Sequence, residues 1–292
     1  MIAHVAAAGE RSGRVVLWLG GTSAASRFAI DAAMLMAQAF QAEVESLYVE
    51  DRQLFDLADF HFARAIGVSG GSWRPMPAAT LEREMRFLAA ALHRQVAEAG
   101  AAAGVQCHSR VVRDEPLRAL FRACAENGPW NLVIVGEPIA PGDGARLSEL
   151  FEKVRDTTGA VITGPLASRT SGPVVAVVEE FERLGPMLKA AQRLSAAIAG
   201  EVRLCIAGDR RDELAWMEGE ARLLCADAAG GEEIASLESV LAANDDPAPL
   251  ADVLRRHKPG FALAQYGGRL IAPDASLRPL TQALECPLLL VR

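Results

Sequence analysis

Short apolar runs alternate with segments of helical periodicity along almost the whole chain. The first run, residues 15–19, reads Val-Val-Leu-Trp-Leu and stops at a pair of glycines, after which apolar residues recur at helical spacing up to position 40. A second run follows at 44–49. Strands that are this short, β-branched and apolar are typical of parallel sheets buried on both faces. The alternation therefore predicts a doubly wound, Rossmann-like α/β fold with right-handed crossovers.

The order of strands and helices in the first part of the chain is repeated in the second part. A polar, turn-rich stretch separates the two parts, and the apolar run at 174–178 restarts the pattern that began at 15–19. We interpret the repeat as an internal duplication. The sequence thus predicts a first domain over 1–167, a linker over 168–173 and a shorter second domain over 174–292. Each domain is expected to form a parallel five-stranded sheet with flanking helices, and a pseudo-twofold axis is expected to relate the two.

One segment of the first domain, residues 51–79, has no counterpart in the second and is predicted to be an insertion. Four of the chain's 16 aromatic residues fall close together in it, namely Phe55, Phe60, Phe62 and Trp73. The spacing of apolar residues predicts a helix over 52–66, and the glycines and prolines that follow predict an irregular loop. Since ligands bind at the carboxyl ends of parallel strands, we expect a lid over that edge or a contact with another subunit. Plain packing against the sheet edge is the alternative.

Charge and cysteine content argue against several classes of protein. The formal net charge of −7 and the isoelectric point near 5.4 argue against nucleic-acid binding driven by phosphate neutralisation. The five cysteines are scattered and include no C-x-x-C pair, which argues against a disulfide framework or a structural zinc site. The amino terminus lacks the charge order of a signal peptide, and no apolar run has transmembrane length. We therefore expect a cytoplasmic protein that neither binds nucleic acid nor spans a membrane.

Candidate catalytic residues are few. None of the five histidines stands beside a Gly-x-Ser-x-Gly nucleophile elbow. His93 and His108 are predicted to be solvated side chains, and His257 is predicted to belong to a solvated basic helix end at 255–258. Five titratable residues after the second run have a spacing that matches no metal-binding loop, so we interpret them as the polar face of a helix. These residues are Glu50, Asp51, Asp56, Asp59 and His61. No catalytic residue, metal ion or cofactor is predicted.

Residues 17–29 carry the strongest local resemblance to a known family. A strand is followed by a Gly-Gly-Thr turn and then by Ser26, three residues before a helical Ala29. In this order the segment resembles the opening of universal stress protein domains, which have a strand, an Asp-Gly-Ser turn and a serine three residues before a helical alanine. Residues 131–136 are similar to the family's fourth strand, and residues 286–291 are similar to its closing strand.

The resemblance implies a tandem universal stress protein, in which two fused domains form a pseudo-dimer with a stress-response or partner-modulating role. It also implies where a nucleotide would lie if one binds. The residues at that place are Gly20, Gly21, Thr22, Val49 and Gly136. For the aromatic residues of the insertion, the further expectation is a homodimer or a contact with a partner protein.

The chain departs from the ATP-binding members of the family at the residues that would contact ATP. Gly20 stands where those members have an aspartate, and in the second half Glu179 follows the strand without a Gly-Ser turn. The glycines that bring backbone amides close to phosphates are absent after Gly136 and Gly268. We therefore predict that neither half binds ATP in the family's manner, which favours a non-enzymatic regulatory protein. The alternatives are a binder of an adenine-containing ligand in the first domain and a nucleotide-handling hydrolase or ligase.

Overall fold

The computed structural model describes most of the chain. The described residues are 13–20, 27–66, 70, 73–126, 130–137, 144–154, 157–164, 166–227, 234–243, 245–273 and 275–292, with only the backbone described at 144–146 and 225–227. Among the described helices, none is both long enough and apolar enough to cross a lipid bilayer.

The first half alternates strands and helices as the apolar runs predict. Its strands, within the described residues, are β1 (Arg14–Leu19), β2 (Glu43–Asp51), β3 (Arg64–Ala65), β4 (Arg74–Pro75), β5 (Cys107–Asp114), β6 (Asn131–Val135) and β7 (Thr157–Ile162). Its helices are α1 (Arg27–Phe40), α2 (Arg52–Ala58), α3 (Ala78–Ala103), α4 (Pro116–Glu126) and α5 (Gly144–Lys153). The central strands β1 and β6 are buried on both faces because helices cover each side.

The second half repeats this alternation without β3, β4 and a counterpart of α2. Its strands, again within the described residues, are β8 (Val174–Val178), β9 (Val202–Gly208), β10 (Ile234–Leu241), β11 (Phe261–Gln265) and β12 (Leu288–Val291). Its helices are α6 (Phe181–Ile198), α7 (Arg211–Asp227), α8 (Ala248–His257) and α9 (Arg278–Ala283). Only two residues, 209 and 210, lie between the end of β9 and the start of α7, so the chain has no room here for an insertion.

Both halves arrange five parallel strands in the same order. The first half has the order β5-β2-β1-β6-β7 and the second has β10-β9-β8-β11-β12. The predicted equivalence of residues 15–19 with 174–178, and of 132–135 with 261–264, agrees with the strand registers, which pair Val15 with Leu132 and Val174 with Phe261. The predicted doubly wound α/β fold with two five-stranded halves is confirmed.

The two five-stranded sheets are not separate, which corrects the sequence-based expectation. The last strands of the halves pair antiparallel, with Leu288 opposite Ile162 and Val291 opposite Gly159, so that one ten-stranded sheet results. Both strands are fully buried; β12 is apolar throughout, and β7 is apolar apart from Thr157 and Thr158. Each would otherwise leave one row of backbone N–H and C=O groups unpaired at the edge of its own sheet, and the pairing satisfies both rows.

Two hydrophobic cores lie on opposite faces of this sheet. One contains residues of α1, α3, α6 and α7, and the other contains residues of α4, α5, α8 and α9. Neighbouring residues of β1 alternate between them: Val15 and Leu17 face the first core, and Val16 faces the second. Both cores run across the junction of the halves: α1 packs against its counterpart α6 in the first core, and Phe151 stacks on Tyr266 in the second.

The predicted helix over 52–66 is too long. In the structure α2 begins after Asp51, which caps it by accepting the Gln53 N–H at 2.9 Å, and ends at Ala58. Turns follow, and then the two-residue strands β3 and β4 pair antiparallel, with Arg64 opposite Pro75 and Ala65 opposite Arg74. The predicted apolar face fails beyond Ala58 because no described part of the chain covers it: Phe62 and Ile66 are both exposed.

Candidate functional site

The sheet order creates two equivalent places where a ligand of a doubly wound fold would bind. In such sheets, ligands lie at the carboxyl ends of the strands, where the strand order reverses. In the first half that reversal lies between β1 and β6, and we call it the first switch point. In the second half it lies between β8 and β11, and we call it the second switch point.

At the first switch point a glutamate lies against a glycine. Gly20 follows β1, and a Cβ atom at this position would lie only 2.8 Å from Cδ of Glu137, which follows β6. Gly136 approaches β1 directly: its N–H donates to Trp18 O at 2.8 Å, and a Cβ there would collide with the same carbonyl oxygen. The two glycines thus let the ends of β1 and β6 come together with the Glu137 carboxyl group between them.

The neighbouring strand adds a buried phenol to this place. Tyr48, near the end of β2, is fully buried, and burial is the largest effect raising its pKa, to about 12, followed by the charges of Glu50 and Glu137. Val49 is also buried, with its side chain in the second core. A ligand could therefore meet Val49 only through its backbone. Gly21 and Thr22 lie outside the described residues.

At the second switch point the glutamate comes from the opposite strand. Glu179 directly follows β8, at the position equivalent to Gly20, and is 98% buried. Its Oε2 accepts the backbone N–H groups of Arg269 and of Leu270, the latter at 3.0 Å, in the loop that follows β11. Burial raises the pKa of this carboxyl group, and the two backbone hydrogen bonds oppose that effect only in part.

Polar side chains surround Glu179. Gln265, at the end of β11, is also buried and donates from Nε2 to Glu180 Oε1 at 3.3 Å. Within the described part of the chain, Gln265 Oε1 and Glu179 Oε1 are both buried without a hydrogen-bond partner. The Arg269 guanidinium points elsewhere, to Asp209 at 2.5 Å. The second switch point therefore presents carboxyl and carbonyl oxygens and no free cation among these residues.

The four aromatic residues of the insertion do not share one environment. Phe55 on α2 is buried, and the Arg113 guanidinium lies 3.8 Å from its ring centroid. Phe60, Phe62 and Trp73 are 53%, 63% and 69% exposed, and the rings of Phe60 and Phe62 stack at 5.3 Å. The insertion is thus fixed to the molecule through Phe55, while its other aromatic rings face outward.

Arg113 fixes the insertion to the rest of the molecule, and the sequence analysis did not identify it. It extends from the edge strand β5 and forms ion pairs with Glu50 at 2.9 Å and Glu82 at 3.1 Å. It thereby joins the end of β2, the start of α3 and the ring of Phe55. The spacing of these residues along the chain carries no signal of this contact, because the contact depends on the pairing of β2 with β5.

Two of the three histidines predicted to be solvated are not. His93 is half-buried, with Nδ1 lying 2.8 Å from Ser46 Oγ, and burial lowers its pKa. His257 is also largely buried and pairs with Glu238 at 3.1 Å, because the basic end of α8 packs against β10. Only His108 is exposed as predicted, beside Glu43 at 3.3 Å.

Nucleophiles and metal ligands are also not assembled among the described residues. Burial raises the pKa of the Cys205 and Cys286 thiols to about 12 each, so both stay protonated at neutral pH. The described part of the chain brings no three His, Cys, Asp or Glu side chains together as a metal site. Among the described residues, the switch points present the carboxyl groups of Glu137 and Glu179 as hydrogen-bond acceptors, and the loop after β11 presents the backbone N–H donors of Arg269 and Leu270.

Solved structures with the same architecture are found over nearly the whole chain. A universal stress protein from Archaeoglobus fulgidus DSM 4304 is 15% identical, with a TM-score of 0.63 over 95% of this chain and 96% of that one. A functionally unknown protein from Pseudomonas aeruginosa PAO1 is 14% identical, with a TM-score of 0.55 over 96% and 92% of the two chains. The cytoplasmic domain of a prokaryotic cation chloride cotransporter is 10% identical, with a TM-score of 0.55 over 96% and 95%.

Sequence comparison adds no relative at closer range. No protein-family model matches the chain, and no curated protein matches it. Identities of 10–15% establish similarity of fold and leave function open. The chain therefore has the fold of a universal stress protein, with two such halves joined in one ten-stranded sheet.

Proposed function

We propose that the protein is a non-enzymatic regulatory binding protein of the universal stress type, and that it does not bind ATP as the ATP-binding members of that family do. The observation that carries the proposal is the glutamate at each switch point, Glu137 against Gly20 and Glu179 against Gly268. A carboxylate at the place of a phosphate group repels it and occupies its volume. The absence of a nucleophile–base pair among the described switch-point residues supports a binding role.

Calorimetry with ATP and magnesium tests this proposal directly. We expect no binding tighter than about millimolar, which corresponds to only about −4 kcal/mol. Mass spectrometry of the purified protein under native conditions should show no retained nucleotide. A micromolar dissociation constant for ATP, or nucleotide carried through purification, would contradict the proposal.

A second candidate function has one observation in its favour. ATP-binding members of the family have an acid after the first strand, where this chain has Gly20. Glu137, which follows β6, brings a carboxyl group to that position instead. A ligand with an adenine or ribose group and no phosphates could donate hydrogen bonds to this carboxyl group. Adenosine binding that is lost in Glu137→Gln and kept in the control Glu182→Gln on α6 would support this function. Equal affinity in both variants would exclude Glu137 as its anchor.

We further propose that the exposed aromatic residues of the insertion contact another protein or a second copy of the chain. Phe60, Phe62 and Trp73 are more than half exposed, and their neighbours Arg64 and Arg74 are exposed too. Aromatic residues with arginine are enriched at protein–protein contacts. Sedimentation of the wild type and of Phe62→Ala/Trp73→Ala at several concentrations tests the homodimer. A concentration-dependent dimer that survives both substitutions would contradict a contact at these residues.

We propose a cytoplasmic location for the protein. The four described free cysteines include three that are buried, and none forms a disulfide, as is usual for proteins of reducing compartments. One of the structurally similar chains is itself a cytoplasmic domain. Fractionation of cells that express the protein with a carboxyl-terminal tag tests the location, and recovery with the membranes would contradict it.

A further inference from the structure

The loop that follows β11 has the geometry of a small anion-binding site. Its chain reverses at Gly267, whose φ of +75° favours glycine, and the Gly267 N–H donates to Ile271 O at 2.7 Å. In this loop the N–H groups of Arg269 and Leu270 point to the same atom, Glu179 Oε2. Consecutive backbone N–H groups that converge on one point form a nest, which is a common binding site for phosphates and other anions.

The position of this nest is where a ligand would be expected. It lies at the carboxyl end of β11, beside the end of β8, and so at the second switch point. The loop backbone comes close enough to Glu179 for a carboxyl oxygen to fill the nest. A Cβ at position 268 would lie 2.8 Å from Glu179 Oε2 and 3.1 Å from its Cδ, so Gly268 is what lets the side chain enter.

The arrangement of Glu179 is costly as a purely structural contact. One carboxyl oxygen accepts two N–H groups, while the other, Oε1, is buried without a partner among the described residues. An unpartnered buried oxygen costs free energy that an apolar side chain would not. A carboxyl group kept here at that cost satisfies the two amides of the nest and at the same time denies the nest to any other anion.

We propose that Glu179 is an internal occupant of an anion-binding nest formed by residues 267–270, and that it excludes small phosphate-type anions from the second switch point. This is an autoinhibitory contact between the end of β8 and the loop after β11. The proposal rests on the proposed function in one respect, because it requires that the wild-type chain does not bind ATP.

Four forms of the full chain test the proposal: the wild type, Glu179→Ala, Glu179→Gln and the matched control Glu180→Ala. The probe is inorganic phosphate. Its binding is measured by calorimetry and by the change in the NMR chemical shifts of the Arg269 and Leu270 amides. Glu179→Ala empties the nest, so its affinity for phosphate should rise at least tenfold. Glu179→Gln still fills the nest with an amide oxygen and should not bind phosphate. Glu180→Ala removes a neighbouring charge but leaves Glu179 in place, and it should also behave as the wild type.

Three results would overturn the proposal. One is a Glu179→Ala variant that binds phosphate no better than the wild type, the second is an equal gain in Glu180→Ala, and the third is phosphate binding by the wild type. If Glu179→Ala does not fold by circular dichroism, hydrogen exchange of the wild type decides. The amides of Arg269 and Leu270 should then be protected in the wild type and in Glu179→Gln, and exchange at open-loop rates would refute the contact. Micromolar ATP binding by the wild type would refute the proposed function. A Glu179→Ala variant that gains no affinity for phosphate would refute only the proposed nest.

Discussion

At each switch point a carboxyl side chain approaches a glycine, but the strands that supply the two residues are exchanged between the halves. In the first half Glu137 reaches from β6 toward Gly20 after β1, and in the second half Glu179 reaches from β8 toward Gly268 after β11. The two halves thus place an acid at the same kind of location with different residues. At the scale of single residues, the glycine matters as much as the acid, because the missing side chain of the glycine leaves the space that the carboxyl group occupies.

The glycines of the first switch point should differ in their tolerance of a side chain. In Gly136→Ala the new Cβ meets the Trp18 carbonyl oxygen, which belongs to the backbone of β1 and cannot move, so we expect a loss of about 1–3 kcal/mol. In Gly20→Ala the obstacle is the end of the flexible Glu137 side chain, and the loss should be smaller. Urea denaturation measures both. Gly219→Ala on α7, where nothing lies within 4 Å, is the control and should gain about 0.5–1 kcal/mol. Equal losses at positions 136 and 20 would contradict this prediction.

His93 should make the stability of the protein fall in mildly acidic solution. Burial against Ser46 favours the neutral imidazole, so the pKa of His93 in the folded chain is below its usual 6.5. The unfolded chain therefore takes up a proton first as the pH falls. The stability that neutral His93 confers is complete above about pH 6.5 and is lost as the pH falls toward the folded-state pKa.

The free energy of unfolding from urea titrations between pH 7.5 and 5.5 measures this effect. The wild type should lose stability over this range, and His93→Gln should lose less because its side chain does not titrate. A wild-type slope in His93→Gln would show that another group is responsible.

At the scale of elements, the insertion between β2 and α3 combines one buried anchor with an exposed aromatic surface. The anchor is Phe55 on α2 beneath Arg113, and the exposed rings belong to the turns and hairpin beyond Ala58. The boundary between the two falls where α2 ends. The predicted helix continued past this point because periodicity reports which residues could share a face, and it carries no information on whether a partner covers that face.

Alanine substitutions should separate the anchor from the surface. Phe55→Ala removes a buried ring and its contact with Arg113, so we expect it to cost about 3 kcal/mol. Phe60→Ala, Phe62→Ala and Trp73→Ala remove exposed rings and should change stability by less than about 0.5 kcal/mol each. Melting temperatures of the four variants measure the difference. Losses of similar size in all four would mean that the exposed rings pack in the folded chain.

At the scale of the whole molecule, the antiparallel pair of β7 and β12 decides the architecture. It turns two parallel five-stranded sheets into one mixed ten-stranded sheet, and it leaves β5 and β10 as the outer strands. These outer strands are only partly buried and carry charged residues, as solvent-facing edges usually do. The joined strands β7 and β12 carry no charged residue and are fully buried.

A fragment that ends before the predicted linker should therefore not remain monomeric. Residues 1–167 alone would expose β7, an apolar edge with unpaired backbone groups, and such edges pair with other chains. We expect the fragment to dimerise or aggregate in sedimentation experiments at concentrations where the full chain shows no such β7-mediated association. A monomeric, folded wild-type fragment would show that β7 does not require β12.

The sequence by itself determined the class of fold, the number and order of the main strands and the repeat of one half in the other. These features follow from local patterns, because a strand buried on both faces must be apolar along its length and a covering helix must be amphipathic. The resemblance to universal stress proteins also pointed to Gly20 and Gly136, which lie at the ends of β1 and β6. Tertiary structure decided what depends on distant parts of the chain meeting: the joining of β7 to β12, the burial of His93 between α3 and β2, and the entry of Glu179 into the loop after β11. No local pattern reports these contacts, since each depends on the shape and charge of a partner that only the folded chain brings close.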